Sequence, residues 1–302
     1  MQDSQSHPGR FPGLVPCFQG SVNQWECDEN DHLNVRFYAH KINQALQIYL
    51  AGLGAEQPSE ALPRIRAQHI RFLKESRSAT PLRVDCGMVG RDAERLELLA
   101  VMHDNVDGEP LAAFTTTLDL TRWPIAPSGD LVAPPEHARP RGLDPAALPG
   151  PPASPEAARA AGFRVVGRGI ISAEECAGDG RLLPHVYIGR ISDAMPNLWA
   201  FMASARDAAD RDTGTMGGAA LEQRLTIHAP LREGAVFCQL SGVRALGNKT
   251  QQMAHLLYDE TAGRFAASAE AVGVAMDLTT RKAVPISPER RARMESLLLR
   301  DG

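Results

Sequence analysis

Apolar residues recur at helical spacing in two stretches of the chain. Val35, Tyr38, Ile42, Ala45, Leu46 and Tyr49 fall on one face of a predicted helix, which Gly52 and Gly54 are placed to stop. Val186, Ile191, Ala194, Met195, Leu198, Trp199 and Met202 repeat the pattern, with Pro196 expected to kink that helix or reset its start. Strand-like runs follow each helix. They read PLRVDCGMV, RLELLAVMHD and PLAAFTTTLDL in the first half, then QRLTIHAPL, AVFCQLSGV, QQMAHLLYD and RFAASAEAVGVAMDL in the second. HDNVDGEP and YDETAGRF put Asp and Gly where a hairpin turn needs them. A long helix followed by antiparallel strands is an α+β unit, and here it occurs twice.

The halves align with each other. WECDENDHLNVRFYAHKINQA can be laid without a gap on EECAGDGRLLPHVYIGRISDA, so that Glu26 meets Glu175, Cys27 meets Cys176, Tyr38 meets Tyr187 and Ile42 meets Ile191. VMHDNVDGEPLAA pairs in turn with LLYDETAGRFAAS, sharing the Asp104/Asp259 and Gly108/Gly263 positions. Between Pro124 and Pro155 proline is too dense for a helix interior or a central strand. The expected layout is a disordered lead-in over 1–17, one unit over 18–123, a proline-rich linker over 124–160 and a second unit over 161–302. Two such units make a pseudo-dimer.

Composition narrows the function classes. The chain has 302 residues and a formal net charge of −4, which argues against charge-driven binding to nucleic acid. No apolar run approaches the roughly 20 residues of a membrane span, and the first residues carry no signal pattern. Cys17, Cys27, Cys86, Cys176 and Cys238 are scattered without CxxC spacing, which suits reduced thiols in the cytoplasm rather than disulfides or a zinc site. Neither a phosphate-cradling GxxxxGK[ST] loop nor a dinucleotide GxGxxG occurs. His69, His103, His228 and His255 stand singly, without metal-ligand spacing. No cofactor is expected.

Chemistry concentrates in DENDHLNVRFY, where Asp28, Asn30, His32 and Asn34 precede the first helix. Asp and Asn are also the residues a helix N-terminus selects, so capping competes with catalysis for this stretch. The second copy separates the readings: Ala177 stands for Asp28, Arg181 for His32 and Leu183 for Asn34. A purely structural cap should be kept in both copies, whereas a fused two-site dimer can lose one site.

The elbow resembles the signature of acyl-CoA thioesterases of the 4-hydroxybenzoyl-CoA thioesterase type. Its D-x-N-x-H spacing is similar to the catalytic elbow of plant acyl-carrier-protein thioesterases, except that Asp31 stands where a glycine often precedes the histidine. The resemblance implies two tandem hotdog units, each a long helix wrapped by a curved antiparallel sheet. It also implies hydrolysis of an acyl-CoA or acyl-carrier-protein thioester. Asp28 would then be nucleophile or general base, with His32, Asn30 and Asn34 beside it and the helix N-terminus polarising the carbonyl. Tyr38, Glu175, Asp179, Arg181, Arg244 and Lys249 are the candidate substrate contacts, with Glu175 or Asp179 as a second candidate for the working carboxylate. The alternatives are an enoyl-thioester hydratase of the same fold and a non-catalytic acyl-thioester sensor. A homodimer of the two-unit chain is expected.

Overall fold

The computed structural model describes residues 11–53, 64–121, 129–143, 151–201 and 216–300. The chain divides into two compact units, Met1–Arg139 and Pro140–Gly302, with the boundary inside the expected linker. The first unit holds β1 (Val15–Ser21), α1 (Val35–Gly52), β2 (Arg64–Phe72), β3 (Pro81–Arg91), β4 (Arg95–Asp104) and β5 (Pro110–Asp119). Its antiparallel sheet runs β1-β3-β4-β5-β2. The second holds α2 (Pro155–Ala160), β6 (Arg164–Ile170), α3 (Pro184–Ala200), β7 (Met216–Ile227), β8 (Val236–Leu246), β9 (Thr250–Asp259), β10 (Arg264–Asp277), β11 (Lys282–Val284) and α4 (Pro288–Glu295). Its sheet runs β6-β8-β9-β10-β7, with β11 paired to β10. Each unit is a hotdog fold, and the strand orders correspond position by position.

The apolar faces read from the sequence are the faces that are buried. Tyr38, Ile42, Ala45 and Leu46 of α1 are covered where the helix lies against β1, β3 and β4, as are Val186, Ile191, Ala194 and Leu198 of α3. α3 runs through Pro196 to Ala200. Gly54 and Met202 lie outside the described residues. The hairpin turns form with Gly108 and Gly263 at positive φ (75° and 61°), a conformation that costs glycine nothing.

Three expectations need correction. A strand precedes each helix: β1 and β6 are edge strands whose faces stay largely exposed, so burial imposes little apolar alternation on them. β1 also begins inside the expected lead-in. The linker is not wholly extended, since Leu131 bridges Met88, Glu136–Ala138 is a 3-10 turn, and Ser154 caps α2.

The internal repeat holds down to single backbone bonds. Val22 N–H donates to Thr80 O as Ile171 N–H does to Ala235 O, both at 3.0 Å. Leu73 donates to Leu111 O and His228 to Ala266 O, while Asn105 reaches Pro81 O and Glu260 reaches Val236 O. The cores differ in filling. In the first unit Ala100 faces Phe114 across β4 and β5; in the second His255 faces Ala269 across β9 and β10. All four side chains are buried. His255 Nδ1 lies 2.8 Å from Ser241 Oγ, and burial pushes its pKa down to about 4, so it is neutral at physiological pH. No helix among the described residues is long and apolar enough to cross a membrane.

Candidate active site

The elbow is built before α1 begins. Residues Gln24–Glu26 form a 3-10 turn closed by a capping box, in which Glu26 Oε2 accepts from Asn23 N–H at 2.8 Å. The other oxygen of Glu26 pairs with Lys41 Nζ at 2.8 Å, and both side chains are buried. The chain then folds back on itself: Asp28 N–H donates to His32 O (2.9 Å) and Asp31 N–H to Asp28 O (3.0 Å). This reversal puts Asp31 at φ 60°, where the second unit uses Gly180 at 75°. The departure from a glycine before the histidine is therefore accommodated, aspartate being one of the side chains that tolerate this region.

Leu33 N–H donates to Ser76 O at 2.7 Å, and Tyr38 OH donates to Lys74 O at 3.3 Å. These bonds lay the segment after β2 against the elbow and bring Glu75 to His32. His32 Nδ1 is 3.1 Å from Asp28 Oδ2, and its Nε2 is 4.0 Å from Glu75 Oε1. His32 is thus held between two carboxylates, with a buried Nε2 that has no hydrogen-bond partner among the described residues. Burial opposes a charged imidazole here. The hydrogen bond and charge of Asp28, reinforced by the charge of Glu75, outweigh it and hold His32 above the ordinary histidine range. Ser76, next to Glu75, buries a hydroxyl that is likewise unpartnered among the described residues.

Capping and the candidate chemistry belong to different residues. Asn34 is the cap, its Oδ1 accepting from Arg36 N–H at 2.9 Å. Its carbonyl takes the Phe37 and Tyr38 N–H groups, so three donors of the first turn are already occupied. What the helix end retains is chiefly its positive dipole. Asp28 does not cap α1: Oδ2 faces His32 and Oδ1 accepts from Asn30 N–H at 2.9 Å. Replacing Asn34 with alanine should cost about 1 kcal/mol in chemical denaturation; loss of Asp28 should leave this cap intact.

The second unit keeps the scaffold and loses the array. Ala177 N–H donates to Arg181 O (2.8 Å), Leu182 N–H to Leu231 O (2.9 Å) and Leu183 N–H to Glu175 O (3.0 Å), matching bonds of the first elbow. On this backbone Ala177, Arg181, Pro230 and Leu231 stand where Asp28, His32, Glu75 and Ser76 stand. Glu175 does there what Glu26 does in the first unit, accepting from Ser172 N–H at 3.0 Å and pairing with Arg190. Asp179 pairs with Arg181 and accepts its backbone N–H at 3.1 Å. Arg244 joins Arg224 on Glu270, and Lys249 Nζ donates to Ala283 O at 3.0 Å. Among the proposed substrate contacts, Tyr38 adjoins the elbow of the first unit, while in the second unit Glu175, Asp179 and Arg181 belong to the elbow and Arg244 and Lys249 lie near the β8–β9 hairpin. The Cys27 and Cys176 thiols donate to Asn23 O and Ser172 O, and burial raises both pKa values, which suits packing.

Residues 22–122 match the family model of the thioesterase-like superfamily. The match falls within the first unit. No curated protein matches the chain in sequence. Among solved structures the chain is similar to a putative oleoyl thioesterase from Lactobacillus plantarum, at 11% identity and TM-score 0.60, over 87% of this chain and 96% of that one. It is similar also to the 12:0-ACP thioesterase from Umbellularia californica, at 9% identity and TM-score 0.61, over 87% and 94%. An acyl-ACP thioesterase from Bacteroides thetaiotaomicron matches at 10% identity and TM-score 0.57, over 86% and 97%. At these identities the likeness is one of fold. The thioesterase-like unit is the one that carries Asp28, His32 and Glu75. Sequence reading missed Glu75 and Ser76, which lie far from the motif along the chain. Extending the internal alignment through HIRFLKES on RLTIHAPL would have set Glu75 against Pro230 and exposed the contrast.

Proposed function

We propose that the thioesterase-like unit hydrolyses an acyl thioester of coenzyme A or of a carrier protein, with His32 as general base and then general acid. Thioester hydrolase is the enzyme class that the superfamily match gives. The observation that carries the assignment of residues is the Asp28–His32–Glu75 array, present on one of two backbones that are otherwise equivalent. Asp28 accepts the Nδ1 proton and so leaves the lone pair of neutral His32 on Nε2. Nε2 and Glu75 Oε1 lie 4.0 Å apart and both are buried, so the attacking water enters as the site opens to substrate and is then held by this pair.

The oxygen of that water attacks the thioester carbon while its proton passes to Nε2. The imidazolium then lies between two carboxylates, the arrangement that raises its pKa. The positive end of α1 favours the oxyanion. When the C–S bond breaks, the sulfur leaves with the proton from Nε2, giving free acid and thiol. Asp28 as a direct nucleophile is less favoured, because both of its oxygens are already engaged.

The test is free-thiol release from short, branched, aromatic and long acyl-CoA esters and from an acyl-carrier-protein thioester, with Glu75→Gln alongside the wild type. Turnover that falls about tenfold or more in the variant is expected. Absence of turnover on every ester by folded protein would overturn the proposal, and full activity in Glu75→Gln would remove Glu75 from it.

A further inference from the structure

Two of the free thiols, Cys17 and Cys86, meet in the first unit, and neither belongs to the array at the elbow. β1 pairs with β3 from Val15 opposite Cys86 to Ser21 opposite Pro81, with a bulge between Pro16 and Phe18. In a regular ladder Cys17 would face Val84. The bulge gives that place to Phe18 and leaves Cys17 unpaired, displaced toward Cys86. Both the thiol and the backbone N–H of Cys86 donate to Cys17 Sγ, which lies 3.3 Å from Val15 O. Tyr49, in the last turn of α1, is near both sulfurs, so the pair sits at the end of that helix opposite the elbow.

The two sulfurs are placed unequally. Cys86 is fully buried, whereas Cys17 is half-buried on an edge strand. The hydrogen bond from the Cys86 thiol, helped by that from its backbone N–H, outweighs burial and the charge of Asp85 and holds the Cys17 thiol below the ordinary cysteine range. Burial, reinforced by Cys17, holds Cys86 well above that range. Cys27, Cys176 and Cys238 are raised as well, each chiefly by burial. Thiolate character is thus concentrated on Cys17, and its neighbour keeps its proton. The second unit shows what the fold itself requires. Its ladder has the same bulge, between Val165 and Gly167, and there Val166 and Ser241 hold the two places. Sulfur is needed at neither.

We infer that Cys17 and Cys86 form a reversible oxidation site, separate from the elbow, that takes a small hydroperoxide. The Cys17 thiolate attacks the terminal oxygen of ROOH. The O–O bond breaks, ROH leaves with a proton from solvent, and Cys17 becomes a sulfenic acid. Cys86 then attacks that sulfur: the S–S bond forms, the S–O bond breaks, and the hydroxide leaves as water with the Cys86 proton. Two thiols and ROOH become a disulfide, ROH and water, the peroxide gaining the two electrons that the sulfurs lose. The half-buried Cys17 receives the oxidant, and the buried Cys86 resolves the intermediate. The new bond ties edge strand β1 to β3, and an external thiol reverses it by exchange.

The experiment treats the intact, reduced chain with hydrogen peroxide and follows it by intact mass, thiol count and peptide mapping. A Cys17–Cys86 cross-linked peptide is expected, with recovery of both thiols in dithiothreitol. Cys27, Cys176 and Cys238 should oxidise at least about tenfold more slowly. Cys17→Val, which installs the twin's residue, should slow the first oxidation about tenfold or more and leave no disulfide. Cys86→Ala should strand the Cys17 sulfenic acid, so that dimedone labels it. If Cys86→Ala does not fold, dimedone present during the wild-type reaction should label Cys17 and lower the yield of cross-link. A disulfide between other cysteines, over-oxidation of Cys17 without the cross-link, a cross-link that forms only in denaturant, or oxidation no faster than in Cys17→Val would overturn the inference.

Discussion

His32→Ala is expected to lower kcat for thioester hydrolysis by about 100-fold or more while leaving KM within a few-fold, as measured by thiol release under saturating substrate. General acid–base help contributes about 10² to 10⁴ to such reactions, and this one side chain is assigned both halves of the proton transfer. The fold should tolerate the change. The elbow's shape rests on backbone bonds from Asp28, Asp31 and Leu33, and the second unit makes the same bonds around an arginine. A variant with unchanged melting behaviour and unchanged kcat would return His32 to a loop-shaping role.

Asp28→Asn should also cost about 100-fold or more, by a different route. An asparagine can turn its NH₂ group toward Nδ1 and favour the wrong tautomer, so that Nε2 no longer carries the lone pair. The pH profile separates this from simple misfolding. In the wild type His32 must be neutral to accept the proton, so kcat/KM should rise through a pKa above the ordinary value of about 6.5. Removing the carboxylate that holds the imidazolium leaves burial the stronger influence, so the limb in Asp28→Asn should move to lower pH. The same shift appears in stability: the contribution of charged His32 is complete below about pH 6.5 and is lost as pH rises through the raised value. Single turnover in ¹⁸O-water tests the competing role. Label appearing in the Asp28 carboxylate would identify that residue as the nucleophile and displace His32 as the base.

The long helices, the central strands and the Gly-punctuated hairpins were legible in the sequence because one face of each is buried and the other is not. β2 alternates apolar residues with Arg64, Arg66 and Gln68 and was readable in principle, although Gln68 points into the core and hydrogen-bonds Asn43 and Thr116. The edge strands β1 and β6 carry too little buried surface to leave a pattern. In the site, the cluster from Asp28 to Asn34 was visible because its members are neighbours along the chain. Glu75 was not, because its place is set by the backbone bond from Leu33 to Ser76, and that bond has no side-chain signature. Glu175 looked available beside a damaged elbow, yet its capping box and its arginine occupy it, as their counterparts occupy Glu26.

The paired cores also bear on how the two copies can change. Alanine faces phenylalanine in one and histidine faces alanine in the other, at the same two positions of the same ladder. Moving phenylalanine alone into the second copy would crowd it against His255, and moving alanine alone into the first would leave a void worth about 3 to 5 kcal/mol. Gene conversion between the halves of the coding sequence is therefore penalised unless a tract carries both codons together. Each core is thereby held to its own pair, and at this layer the two copies can exchange residues only two at a time.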